Sequence, residues 1–128
     1  FVTNSDQSGF STYWNGSNWV VRTAGGTGTS TIAGDTNTHI LIQVFDGTQT
    51  GNDQRLKLRY NEAPVTLNFG ATTVGTSTSA STSKLNFGWD GTGNYYNGYL
   101  AEVMLWTTAK DSSFVQGIED YLSTKWNL

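Results

Sequence analysis

The sequence predicts an all-β fold, an antiparallel β-sandwich or barrel closed by one C-terminal α-helix. Composition is the first observation behind this. Aromatics make up 13% of the chain, and Gly, Ser, Thr and Asn together roughly 45%, well above average usage. Thr and aromatic side chains suit pleated, half-buried surfaces, and Gly and Asn suit the tight turns that join them. The second observation is a series of short apolar runs bounded by Asn-Gly and Asp-Gly pairs. The third is a single change of hydrophobic period, from two to 3.6, in the last segment.

At 128 residues the chain has the size of one domain, so residues 1–128 are read as one unit. Folding at this size buries roughly two-thirds of the surface of the unfolded chain, enough for one core. Ser11 to Thr23 reads as a hairpin, because Asn15-Gly16-Ser17 lies between β-prone runs and Asn and Gly accept positive φ. Ala24 to Ser30, rich in Gly, reads as a flexible loop. Thr38 to Phe45 is a near-continuous apolar run, short enough for a strand buried on both faces, and it stops at the turn Asp46-Gly47.

Thr48 to Gln54 reads as a polar loop. Arg55 to Tyr60 then alternates strictly, which directs Leu56, Leu58 and Tyr60 to the core and leaves Arg55, Lys57 and Arg59 to solvent. Asn61 to Pro64 forms a turn before a strand from Val65 to Phe69. Ala71 to Ser83, rich in Thr and Ser, reads as an exposed connection with room for a solvated edge strand. Lys84 to Gly88 is a further strand. Tyr95 to Trp106 is a long strand bent at Asn97-Gly98.

A helix is expected over about residues 112–125, with Asp111 or Ser112 as N-cap. Val115, Ile118, Leu122 and Trp126 form its apolar stripe, with Phe114 and Tyr121 beside it and Gln116, Glu119, Ser123 and Thr124 opposite. Gly117 in mid-helix costs about 1 kcal/mol against Ala, so packing must hold the helix in place.

Charge narrows the function classes. Only 13% of residues are charged, the net charge is −3, and no cationic cluster exceeds Arg55, Lys57 and Arg59. Duplex nucleic acid needs several phosphate-neutralising side chains on one face, so a nucleic-acid partner is not expected. The absence of cysteine excludes disulfides and thiolate metal sites. No apolar run approaches the roughly 18 residues of a membrane span, so membrane insertion is not expected.

The last third carries a more specific pattern. Leu85-Asn-Phe-Gly88, then Tyr95-Tyr-Asn-Gly-Tyr-Leu-Ala-Glu-Val-Met-Leu-Trp106, then Ile118-Glu-Asp-Tyr-Leu-Ser-Thr-Lys-Trp126 resembles the closing motif of laminin-G-like domains of the concanavalin A-like lectin and glucanase superfamily. His39 to Gly47 and the strand to Tyr60 sit where that family has its central strands. The resemblance covers about residues 38–126 and implies an antiparallel β-sandwich of jelly-roll, concanavalin A-like lectin type with one C-terminal α-helix. It also implies strands upstream of Phe1, so the expectation is that the chain belongs to a larger polypeptide or a homo-oligomeric assembly. Low-charge modules of this kind look like those on secreted bacterial surface proteins and on phage capsids, tails and fibres. An extracellular or virion-surface location follows as an expectation.

The residues themselves argue against catalysis. Glycosidases of the superfamily need carboxylates on alternate residues of one strand, whereas Glu62, Glu102 and Glu119 are far apart and no Glu-x-Asp occurs. His39 is the only histidine and no Gly-x-Ser-x-Gly elbow is present, so no nucleophilic triad is expected. Glu102, within an apolar stretch, is expected to hydrogen-bond backbone or the closing helix, because a buried unpaired carboxylate is costly. Calcium needs six or more oxygen ligands. The turn residues Asp46, Asp53 and Asp90 are its candidates, no single loop supplies a full set, and no cofactor is expected.

Glycan binding requires an exposed aromatic face flanked by amides, carboxylates or hydroxyls. Trp14 with Asn15, and Trp89 with Asp90, Asn94 and Tyr95, meet that requirement in sequence. Trp19, Phe45, Phe69, Phe87, Tyr96, Trp106 and Trp126 are assigned to the core. The expected role is a non-catalytic surface recognition or adhesion module, with a glycan or neighbouring protein subunits as partner. The alternatives are a purely structural decoration protein held by protein contacts, and a degenerate glycoside hydrolase-like domain.

Overall fold

A computed structural model describes residues 2–3, 9–78, 86–88 and 96–128. The elements run β1 (Val2–Thr3), β2 (Ser11–Trp14), β3 (Trp19–Thr23), β4 (Gly26–Thr29), β5 (Leu41–Phe45), α1 (Asn52–Arg55), β6 (Leu56–Tyr60), β7 (Ala63–Val65), β8 (Asn86–Phe87) and α2 (Ser112–Trp126). They make two small antiparallel sheets and a C-terminal helix. The first sheet has β2, β3 and β4 as its main strands, with β1 and β8 contributing two residues each, in the order β4-β3-β2-β1-β8. The second has the order β5-β6-β7.

The hairpin from Ser11 to Thr23 forms with Trp14 opposite Trp19. Asn15 closes its turn, since the side-chain Oδ1 accepts from the backbone N–H groups of Ser17 at 2.9 Å and Asn18 at 2.8 Å. The Gly-rich stretch expected as a flexible loop is instead a strand. Ala24 and Gly25 take φ of 49° and 80°, the two-residue turn that matches strand twist, and Gly26–Thr29 pairs back on β3. Its glycines make room rather than flexibility. A Cβ on Gly26 would lie 2.5 Å from Val74 Cγ2, and one on Gly28 would lie 3.0 Å from Leu67 Cδ1.

In the second sheet Asn61 and Glu62, with φ of 47° and 68°, form a similar turn, so the pairing resumes at Ala63 rather than Val65. Pro64 is tolerated because β7 is an edge strand. The expected strand through Phe69 ends at Val65, because the chain then crosses to the first sheet. There Thr29 and Asn68 exchange backbone hydrogen bonds of 2.9 and 2.8 Å. Thr48 to Gln54, expected as a loop, ends in the single turn α1.

Between the sheets lies a core of Val21, Leu56, Leu58 and Val74, with Trp19, Leu41, Phe45, Val65, Leu67 and Phe69 packed against it. Val74 is fully buried, which overturns its placement in an exposed connection. Its N–H donates to Asn52 Oδ1 at 2.9 Å, and its carbonyl accepts from Arg55 Nη1 at 2.8 Å. Of the three cations assigned to solvent only Lys57 is exposed, since Arg55 is drawn to backbone carbonyls and Arg59 to α2. Strand β5 is half-buried along its length rather than enclosed on both faces.

Helix α2 starts on Asp111, whose Oδ1 accepts from the Phe114 N–H at 2.8 Å, and ends at Asn127 in the left-handed region. Its docking face differs from the expected one. Glu119, assigned to the polar side, is fully buried, while Phe114, Tyr121 and Trp126 remain 39%, 43% and 41% exposed. The reason is spacing: Glu119 lies four residues after Val115, hence on the same stripe. Arg59 reaches it with Nε to Oε1 and Nη2 to Oε2, both at 2.8 Å.

Gly117 meets nothing within 4 Å of a built Cβ. Gly117→Ala is therefore expected to stabilise the fold by about 0.5–1 kcal/mol, through helix propensity and a less flexible unfolded chain. A denaturant midpoint that fails to rise would contradict an unobstructed site.

The long strand expected from Tyr95 to Trp106 is absent over residues 96–106, which join neither sheet. Alternation alone does not make a strand without a neighbouring edge. Along this stretch Tyr99 is 98% exposed and Leu100, Val103, Leu105 and Trp106 are 42–54% exposed, so Trp106 is not a core residue.

Candidate functional site

Three side-chain groups have the composition of a site. At the tip of the first hairpin Trp14 and Trp19 meet edge to face, with centroids 5.8 Å apart. The six-membered ring of Trp14 rests against Gly34, where a Cβ would lie 2.9 Å from Cζ2. Trp14 is therefore half-buried, with part of its indole left to solvent. Asn15, chosen from sequence as a partner for a sugar, has its amide oxygen spent on the turn, which leaves its Nδ2 group available. Trp19 Nε1 is buried without a hydrogen-bond partner among the described residues.

The second group surrounds His39. Its Nε2 lies 2.7 Å from Asp35 Oδ1, and its Nδ1 lies 3.1 Å from Asn61 Nδ2. An amide NH₂ only donates, so Nδ1 accepts and Nε2 carries the proton that goes to Asp35. Asn61 is fixed in that sense because its Oδ1 accepts from the Ile40 N–H at 2.9 Å. The ring lies against Tyr60, with centroids 4.7 Å apart. Hydrogen bonds from the Asn37 backbone and from His39 hold the Asp35 carboxyl below its ordinary range. With both nitrogens engaged, the imidazole has no lone pair for a metal or a substrate proton, and it anchors the 35–39 loop to the β6–β7 turn.

The third group joins residues 96–106 to α2. Glu102 accepts from Lys125 Nζ at 3.0 Å, Trp126 Nε1 at 3.2 Å and Tyr121 Oη at 3.3 Å. It bonds the closing helix and is half-buried in an irregular segment. Trp106 meets Phe114 edge to face, with centroids 5.3 Å apart. The segment and the helix thus form one surface, with Glu102 as its polar tether and aromatics around it.

Lys125 is the largest influence holding the Glu102 carboxyl below its ordinary range, with Trp126 and Tyr121 adding to it. A carboxyl lowered on folding contributes stability above its unfolded value, about 4.3, and loses it as pH falls through the lower folded value. Glu102→Gln is therefore expected to lower the denaturation midpoint at neutral pH, with the gap to wild type closing below about pH 4. A gap that is constant with pH would show that the tether does not depend on charge.

The calcium candidates are not brought together. Asp46 is committed to its own turn, accepting from Thr48 Oγ1 at 2.6 Å, the Thr48 N–H at 3.0 Å and Gln49 Nε2 at 2.9 Å. Asp53 is exposed in α1, and Asp90 lies outside the described residues. Among the described residues no group of three His, Cys, Asp or Glu side chains is placed to hold a metal ion. Trp89, Asn94 and Tyr95 also lie outside them, so of the expected glycan platforms only Trp14 with Asn15 is located. No described helix is long and apolar enough to cross a membrane.

Sequence reasoning missed the Arg59–Glu119 pair and the exposed aromatic surface of α2. The i, i+4 spacing of Val115 and Glu119 was the available signal for the first. No family model, curated protein or solved structure matches the chain.

Proposed function

We propose that this chain is a non-catalytic module of an extracellular or virion-surface assembly, built on a laminin-G-like, concanavalin A-like sandwich and held by contacts with neighbouring copies of itself. The observation that carries this reading is the surface made by residues 96–106 and α2. Tyr99, Leu100, Val103, Leu105, Trp106 and Tyr121 are each at least 42% exposed on it. Exposed apolar side chains gathered on a segment and on the helix it is bonded to are the kind of surface that marks a protein contact. The non-catalytic part rests on the carboxylates, since Glu119 is committed to Arg59 and Glu102 to Lys125.

Sedimentation over a range of protein concentrations tests this. Self-association is expected, and Leu105→Glu with Tyr121→Glu should disperse it without loss of the β circular-dichroism signal. A wild-type chain that stays a folded monomer throughout would defeat the assembly reading.

A glycan-directed surface is the second reading, supported by the half-exposed Trp14 edge at the hairpin tip. It requires glycan-array binding that disappears in Trp14→Ala or Trp89→Ala while the fold persists.

A further inference from the structure

The two sheets have four edges among the described strands, at β4, β8, β5 and β7. Short length, proline and cover are the usual protections of an edge against a newcomer. Strand β8 is two residues long, and β7 carries Pro64, which has no N–H to offer. Strand β4 is covered. Its Thr29 exchanges backbone hydrogen bonds with Asn68, the Thr27 N–H donates to Thr72 Oγ1 at 3.2 Å, and the Thr27 carbonyl accepts from that hydroxyl at 3.1 Å. Strand β5 has none of these protections. Leu41-Ile-Gln-Val-Phe45 contains no charge, proline or glycine, and no described strand lies beside it on the side away from β6.

The register shows which groups that edge presents. The Asn61 N–H donates to the Ile40 carbonyl, and the Asp46 N–H donates to the Arg55 carbonyl. Between those two pairs the ladder runs from Leu41 opposite Tyr60 to Phe45 opposite Leu56. Bonded and non-bonded pairs alternate in an antiparallel ladder, so Ile42 and Val44 bond to β6. The N–H and C=O groups of Leu41, Gln43 and Phe45 therefore point away from β6, and none of them makes a hydrogen bond among the described residues. The edge is also held in place. Gln43 Oε1 accepts from Thr12 Oγ1 at 2.6 Å and Gln43 Nε2 donates to the Arg22 carbonyl at 3.2 Å, which pins β5 to the first sheet through its side chain.

Residues 101–105 have the opposite deficit. Glu102 and Met104 are half-buried while Ala101, Val103 and Leu105 are exposed, the period of an extended chain. Glu102 ties the segment to α2. From Ala101 to Leu105, however, no backbone N–H or C=O makes a hydrogen bond among the described residues. An edge of five residues thus lacks a strand, and an extended segment of the same length lacks an edge.

We propose that residues 101–105 of one copy add as a strand to the free edge of β5 in the next copy. The inference rests on the reading of residues 96–106 and α2 as a contact between copies, and it names what that contact meets. Within one chain the two do not pair. Each copy offers one edge and one segment, so the contact is head to tail and either closes as a ring or runs on as a row. Glu102 keeps its place on its own α2. The side chains flanking the new ladder are apolar, Val103 and Leu105 on the segment and Ile42 and Val44 on β5. Pairing of β5 with β5 of a second copy would satisfy the edges but leave residues 101–105 without a ladder.

Amide exchange read by NMR tests this, at a dilute monomeric concentration and at one where sedimentation shows association. Ile42 and Val44, bonded to β6, are the internal reference. The Leu41, Gln43 and Phe45 amides are expected to exchange about tenfold or more slowly on association, because the ladder must open before they do. Unchanged exchange, or protection already present in the monomer, would overturn the proposal. Consecutive N–H groups point to opposite sides, so of Val103→Pro and Met104→Pro one removes a ladder donor. That variant is expected to weaken association about tenfold, the scale of one or two hydrogen bonds. If both proline variants assemble as wild type does while Leu105→Glu with Tyr121→Glu disperses the assembly, the ladder is wrong and the contact between copies stands. A chain that stays monomeric defeats both. The sequence has no cysteine, so an Ile42→Cys chain mixed with a Val103→Cys chain and a short bismaleimide gives an unambiguous link. A link between the two variants is expected, and one formed only between Ile42→Cys chains would overturn the proposal in favour of β5 pairing with itself.

Discussion

Replacing Arg59 by methionine is expected to cost about 3–5 kcal/mol of folding free energy, the usual scale for removing one member of a buried ion pair. The loss should exceed that from replacing its partner. Glu119 has no solvent exposure, whereas the Arg59 side chain is 22% exposed. Arg59 also donates to the Glu62 carbonyl and reaches Gln116 Oε1 at 3.4 Å. Without Glu119 the guanidinium still has a carbonyl and water to meet. Without Arg59 the carboxylate is enclosed with no other partner among the described residues, and α2 loses its main polar link to β6. Glu119→Leu is therefore expected to cost about 1–2 kcal/mol, and the double variant to lie closer to wild type than Arg59→Met alone. Denaturant midpoints of the three variants decide this. An Arg59→Met loss no larger than that of Glu119→Leu would mean that the carboxylate is not truly enclosed.

The elements that were legible in the sequence are those whose local chemistry is sufficient. Asn15-Gly16 closed the first hairpin, strict alternation marked β6 at Leu56 and Leu58, and Asp111 capped α2. What escaped depends on neighbours. Gly26 and Gly28 read as flexibility because sequence does not show that Val74, Leu67 and Phe69 press on them. Val74 itself, in a run of Thr and Ser, carries no periodic signal, and its burial comes from hydrogen bonds to Asn52 and Arg55 far away in the chain. Residues 99–106 have the composition of a strand, but ladder pairing is a property of two segments, and no second one lies beside them among the described residues. The site reading was divided in the same way. Trp14 stood out for its turn context, yet the commitment of the Asn15 amide to that turn appears only in three dimensions.

Gly26→Ala, a single added methyl, is expected to destabilise the fold by about 3 kcal/mol, at the upper end of the overpacking range. The new Cβ would lie 2.5 Å from Val74 Cγ2, 2.7 Å from its Cα and 2.9 Å from its N. A side-chain rotation relieves the first contact but not the other two. The Val74 backbone cannot retreat cheaply, because its N–H and carbonyl are held by Asn52 and Arg55 and the next residue, Gly75, donates to the Ala24 carbonyl at 3.0 Å. Relief therefore requires β4 to move away from Val74, which would strain its register with β3 and its bridge from Thr29 to Asn68. Adding Val74→Ala should recover only part of the loss, since the backbone contacts persist. Gly117→Ala serves as the internal comparison, the same methyl placed in open space on α2 with the opposite sign expected. Thermal or denaturant unfolding of the three variants reads the contrast directly. A Gly26→Ala midpoint within about 0.5 kcal/mol of wild type, the ordinary range for surface changes, would show that β4 does not press on Val74 as closely as its geometry implies.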